Sequence, residues 1–125
     1  MQVLLDTHLF IWWLKDDPQL SKLARSVIRD ADIVYVSSVS LWEAAIKIQL
    51  GKLDANIQAL VDAIHNEGFV ELPLLSRQTV ILTKLPKLHK DPFDRMLIAQ
   101  AISEPLRLLT SDETLQQYSE LVQIV

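Results

Sequence analysis

Cysteine is absent from the 125 residues. That excludes disulfides and thiolate metal sites, and it fits a reducing cytoplasm. Glycine occurs only 2 times, so long flexible loops are not expected. No apolar run approaches the roughly 20 residues needed to span a bilayer. No secretory signal is visible either, because the short apolar run after Met1-Gln2 stops at Asp6. A cytoplasmic chain with no membrane partner is the expectation. Positive charge is scarce as well, 12 Lys and Arg against 16 Asp and Glu, for a net charge of −4. Alone, that balance argues against a nucleic-acid binder, which usually presents a basic surface. No Ser-His-Asp or Cys-His nucleophile system is apparent, and His8, His65 and His89 lack the spacing of metal-binding pairs.

Half of the residues are hydrophobic, enough for a real core. At this length one domain, residues 1–125, is the natural reading. The few bases are unevenly spread: Lys84, Lys87, Lys90 and Arg95 lie in one short segment, with His89 among them.

The apolar pattern alternates between two periods. Val3–Leu5, Ile33–Val36, Phe69–Leu72, Leu106–Leu109 and Leu121–Val125 read as strands, rich in β-branched and large apolar residues. Between them lie helical faces. Leu20, Leu23, Ala24, Val27 and Ile28 recur at i, i+3, i+4, i+7 and i+8, with Ser21 as a cap. A helix over Val39–Leu50 stops at Gly51, and another spans Ile57 to Ile64. Ser76–Leu85 reads as helix up to Pro86. Asp91-Pro92 opens a helix to about Ile102, with a cap acid followed by proline at the first helical position. That helix is apolar nearly all round and must be buried. Strands alternating with helices imply βαβ units: a three-layer α/β/α sandwich with a mostly parallel central sheet.

Four acids stand where such a sheet builds sites, outside the carboxyl ends of its strands. Asp6 ends the first strand and Asp112 follows the fourth. Asp94 lies in the first turn of the apolar helix. Glu43 lies on a thin polar stripe with Ser40 and Lys47 in an otherwise apolar helix. Each has an ordinary reading. Asp6 and Asp112 suit helix caps, Asp94 complements a helix dipole, and Ser40-x-x-Glu43 matches a capping box. Together they are harder to dismiss, because carboxylates gathered on one edge repel unless a cation joins them. Hard oxygen ligands without Cys or paired His favour Mg²⁺ or Mn²⁺ over Zn²⁺. Such an ion can acidify a bound water and polarise a phosphoryl oxygen, and a second about 4 Å away can stabilise the leaving oxygen.

Four stretches carry a family resemblance: Leu5-Asp6-Thr7-His8 with Trp12-Trp13-Leu14, Ser38 to Lys47, Asp91 to Ala101, and Leu109-Thr110-Ser111-Asp112. The chain resembles the PIN-domain ribonucleases, in particular the VapC-type toxins of toxin–antitoxin pairs. The resemblance implies a PIN-like fold and Mg²⁺- or Mn²⁺-dependent endonucleolytic hydrolysis of RNA. It places Asp6, Glu43, Asp94 and Asp112 on the family's four acidic positions, with Asp6, Asp94 and Asp112 holding metal. It puts Thr110 at a position where a hydroxyl often accompanies the fourth acid. It also implies a homodimer and an antitoxin that lays a helix in an apolar groove, where Phe10, Trp12 and Trp13 would contribute. The RNA phosphates would fall to the Lys84–Arg95 segment. Two other readings compete. A phospho-receiver domain has similar length and acids at strand ends, but it needs an Asp ending its third strand, where this chain has Leu72-Pro73. A catalytically silent PIN-like binding module is the other, and the intact acids argue against it.

Overall fold

The computed structural model describes residues Met1 to Val125. Its first strand, β1 (Gln2–Leu5), is buried from Val3 onward and lies at the centre of a five-stranded sheet. The other strands are β2 (Ile33–Ser37), β3 (Val70–Leu72), β4 (Arg107–Thr110) and β5 (Val122–Ile124). All four pairings are parallel, in the order β3-β2-β1-β4-β5. The order reverses at β1, where open α/β sheets form their crevice. It also removes the receiver reading, whose fold runs 2-1-3-4-5; here β3 is an edge strand and no acid follows it.

Six helices cover the two faces: α1 (Thr7–Lys15), α2 (Lys22–Asp30), α3 (Ser38–Gln49), α4 (Ile57–Asn66), α5 (Ser76–Lys84) and α6 (Pro92–Ser103). A 3₁₀ turn, Glu113–Tyr118, joins β4 to β5. The pleat of β1 sends alternate side chains to opposite faces. Val3 and Leu5 meet Leu9, Phe10, Ala24, Ile28 and Leu60 on one face. Leu4 meets Leu97, Ile98, Leu108 and Leu115 on the other. The expected three layers therefore follow from one strand's alternation.

Local signals set most boundaries. The Ser21 hydroxyl caps α2 by accepting from the Ala24 amide at 3.0 Å, and Asp91 caps α6 through the amides of Phe93 and Asp94. Gly51 follows α3 with φ +71°, a conformation that glycine adopts without penalty.

Two expectations fail, the capping box and the place of Phe10 in a groove. Ser40 and Glu43 form no capping box: α3 begins earlier, with Ser37 accepting from the Val39 amide at 3.0 Å. Ser40 is thus inside the helix, and its hydroxyl instead accepts from Thr7 Oγ1 at 2.8 Å. Trp42 is 57% exposed, resting edge-on against Phe93 with centroids 5.1 Å apart. Phe10 cannot line a groove, because it is buried in the core, while Trp13 packs on Phe69 and donates to Glu67.

A buried polar chain links the end of β2 to α6 and α5. Ser37 donates to Gln100 Oε1 at 2.5 Å, Gln100 donates to Gln78 Oε1 at 3.1 Å, and Gln78 reaches Glu104 at 3.3 Å. Gln78 also accepts from the Leu75 amide, and Glu104 pairs with Arg77. Both glutamines are fully buried, and satisfied groups of this kind tolerate few alternative arrangements.

Candidate active site

Asp6 leaves β1 and starts α1 in one step. Its Oδ1 accepts from the Leu9 amide at 2.8 Å, so the cap expected of it is real. Its Oδ2 accepts from the Thr110 hydroxyl at 2.6 Å. Thr110, buried at the end of β4, accepts in turn from the Asp112 amide at 3.1 Å. One hydroxyl therefore ties together the acids that follow two adjacent strands. Burial raises the Asp6 carboxyl above the usual range, with Glu43 adding to the rise. The bonds from Thr110 and Leu9 and the charge of His8 oppose it.

Glu43 comes to the same edge from α3. Its side chain is almost wholly buried, and Lys47 donates to Oε2 at 2.6 Å. Its Oε1 is buried with no partner at all. A buried carboxylate oxygen left without a donor is costly, and such atoms call for an explanation.

Asp94 is brought in by the N-terminus of α6. Its pKa is pushed up to about 7, by burial first and then by the charges of Asp91, Asp6, Glu43 and Asp112. The other three acids of the sequence pattern thus lie within electrostatic reach of Asp94. Asp112 behaves differently: its bonds from Thr114, chiefly the hydroxyl at 2.6 Å, hold its carboxyl below the usual range, with His89 contributing.

The tightest set of ligating atoms belongs to His89, Asp94 and Asp112, all within 4.8 Å of one another. His89 is the member that spacing arguments miss. Its Nδ1 accepts the Asp91 amide at 3.1 Å, so that nitrogen carries a lone pair and the proton of the neutral ring sits on Nε2. Nε2 faces Asp112 Oδ2 at 3.6 Å. The geometry turns the N–H side of His89 toward Asp112 without closing a hydrogen bond. Binding a cation through Nε2 would require a proton on Nδ1, against the Asp91 N–H. A histidine two residues before a helix cap was the available signal. Asp6 and Glu43 stand outside the 4.8 Å group, on its β1 and α3 side.

Arg95 is half-buried: one guanidinium nitrogen approaches the Leu85 carbonyl at 3.4 Å, and its Nε is buried without a partner. Lys84, Lys87 and Lys90 are exposed on the segment before α6.

The donor set fits a hard divalent cation. Several carboxylates repel one another, one is driven to hold a proton near neutrality, and a buried Glu43 oxygen lacks a donor. A cation answers the first two.

Comparison with known proteins agrees with this geometry. The model of the PIN domain family matches residues 3–121. Ribonuclease VapC22 of Mycobacterium tuberculosis is 30% identical over 122 residues, covering 93% of this chain and 91% of that protein. Among solved structures, VapBC2 from Rickettsia felis bound to a promoter DNA fragment superposes with a TM-score of 0.74 at 16% identity, covering 100% of this chain and 98% of that one. FitAcB from Neisseria gonorrhoeae superposes with a TM-score of 0.63 at 18% identity over 90% of this chain and 89% of that one.

Proposed function

This chain belongs to the PIN domain family and is an endoribonuclease, and we propose that Asp6, Glu43, Asp94 and Asp112 are the acids that do its work. The single observation that carries the reading is the convergence on Asp94: burial first, and then the charges of Asp91, Asp6, Glu43 and Asp112, push its pKa up to about 7.

Asp6, Asp94 and Asp112 would hold Mg²⁺ or Mn²⁺, which when bound acidifies a water and offsets charge on the phosphoryl group. Glu43 takes the remaining role. Lys47 fixes one of its oxygens, and Oε1, buried without a partner, is the acceptor that would take the proton of a water admitted beside it. Thr110 positions Asp6 by its 2.6 Å bond. His89 Nε2–H offers a donor beside Asp112 and Asp94, where negative charge gathers as a phosphodiester opens. The RNA is read as a single strand, because only unpaired nucleotides bring one phosphate into a narrow crevice at a sheet edge.

As physiological setting we propose the toxin of a toxin–antitoxin pair, held in check by an antitoxin and working as a homodimer. The named structural relatives are complexes of VapBC and FitAB type, and no helix here is long and apolar enough to cross a membrane.

The test is cleavage of end-labelled single-stranded RNA by the purified protein. Products are expected with Mg²⁺ or Mn²⁺ and not with EDTA. Asp6→Asn and Asp94→Asn should each lower kcat by about 100-fold or more, as loss of transition-state electrostatics does. Unchanged cleavage by both variants would sink the assignment.

A further inference from the structure

A cleft of about 380 Å³ opens beside the acids, between α1 and the end of α3 with the turn that follows. Its walls carry His8, Trp12 and Lys15 from α1, Lys47 from α3 and Lys52 from the turn. The roles given to the four acids leave this cleft unused.

Its charge departs from that of the whole chain. Three lysines line it in a protein of net charge −4, and the single acid on its wall is Asp17, whose Oδ1 accepts the Gln19 amide. Lys47 is engaged with Glu43. Lys15 donates to the Asp54 carbonyl at 3.1 Å, which leaves its positive charge uncompensated. Neither Lys15 nor Lys52 belongs to a salt bridge. Beside these cations sits an aromatic pair, His8 and Trp12, with ring centroids 5.8 Å apart.

The cleft is also continuous with the acids. Thr7 and His8 on its wall directly follow Asp6, and the charge of His8 acts on that carboxylate. Ala44 and Lys47 flank Glu43 on α3.

We propose that this cleft receives the single-stranded RNA on one side of the scissile phosphate, with a base against Trp12 and backbone phosphates on Lys15 and Lys52. The proposal rests on the ribonuclease reading of the acids. Cations beside an aromatic platform are the chemistry of single-strand binding, because every base has a face to stack and every linkage a charge. The size agrees: small-ligand pockets run from about 300 to 1,000 Å³, so the cleft accommodates a nucleotide and excludes a duplex.

The test uses the full chain and a fluorescein-labelled single-stranded RNA. Binding is followed in EDTA, where nothing is cut, and cleavage is followed with Mn²⁺. The variants are Trp12→Ala, the double variant Lys15→Gln with Lys52→Gln, and a control that removes the same charge outside the cleft, Lys22→Gln with Arg29→Gln. Kd in EDTA should rise about 10-fold in each cleft variant, the scale of one lost stack or two lost phosphate contacts. KM should rise alongside it, with kcat within about twofold. The lysine double variant should flatten the slope of log Kd against log salt by about 1.4, at about 0.7 per phosphate on a single strand. The proposal falls if Kd is unchanged in the lysine double variant, which lies on the surface and keeps the fold, or if the control weakens binding as much. An unchanged Kd would assign the cleft to another occupant, such as a segment of a protein partner. Failure of the ribonuclease reading looks different: wild-type protein that binds RNA in EDTA and cuts none with Mn²⁺.

Discussion

Replacing Asp94 with Asn should make the metal-free protein more stable near neutral pH, although it removes a central residue of the site. The carboxylate accepts no hydrogen bond and so has none to lose; the Asp94 amide, not the side chain, bonds to Asp91. It has only burial and four like charges against it. Its folded pKa of about 7 stands above the ordinary 3.8. Between those values the native state keeps a proton that the unfolded chain releases, so stability falls as pH rises through the window and levels off above it. A gap of roughly 3 units at about 1.36 kcal/mol each sets a ceiling near 4 kcal/mol. Water reaches this partly exposed side chain, and screening reduces the figure to about 2 kcal/mol. For a domain of this size each kcal/mol moves Tm by about 3–5 °C. In chelator near pH 7, Asp94→Asn should therefore melt about 5–10 °C above wild type, and near pH 4 the two should coincide. Scanning calorimetry across that range gives the difference directly, and Asp6, raised in both proteins, cancels. Adding Mg²⁺ should close the gap, because wild type gains from binding and the variant gains less. A variant that melts below wild type at neutral pH, or by the same margin at every pH, would refute the repulsion argument.

Thr110→Val removes the donor to Asp6 and the acceptor for the Asp112 amide. It should destabilise by about 1–3 kcal/mol and weaken Mn²⁺ binding about 10- to 100-fold by calorimetric titration; an unchanged metal affinity would remove Thr110 from the site. Lys47→Met leaves Glu43 buried without its cation and, after allowance for the part-exposed lysine, should lower stability by about 1–2 kcal/mol in urea. Combined with Glu43→Gln the loss should shrink, and strictly additive effects would show that the pair is not coupled. His89→Ala gives up the acceptor of the Asp91 amide, at about 1 kcal/mol. It should also slow RNA cleavage about 10-fold or more, and full activity would confine His89 to a structural bond.

The strands, the helices and the acids were legible because each rests on local chemistry or on a period in the apolar residues. Asp91-Pro92 gave both the start of α6 and the reason Asp94 is free. What stayed hidden depended on distant partners. Ser40 and Glu43 match a capping box in isolation, but Ser37 had already capped the helix. Arg95 looked like a phosphate ligand until α6 turned it toward Leu85. His89 stands two residues before a helix cap, but its approach to Asp112 depends on α6 packing beside β4. Nothing local announces that Gln78 and Gln100 are buried against each other.

The glutamine chain has a consequence for how the enzyme would evolve. Apolar cores accept many repackings, and a helix resting on leucines can rotate a little about its axis at small cost. Gln100 forbids that rotation, because Ser37, Gln78 and the Pro73 carbonyl satisfy it in one setting only. It lies about 9 Å along α6 from Asp94, at 1.5 Å per residue. The aim of Asp94 is thus fixed by a residue that touches neither ion nor RNA. Drift should tolerate changes around Met96 and Ile102 more readily than at Gln100, and a search for altered metal preference would do well to start at that buried amide rather than among the acids.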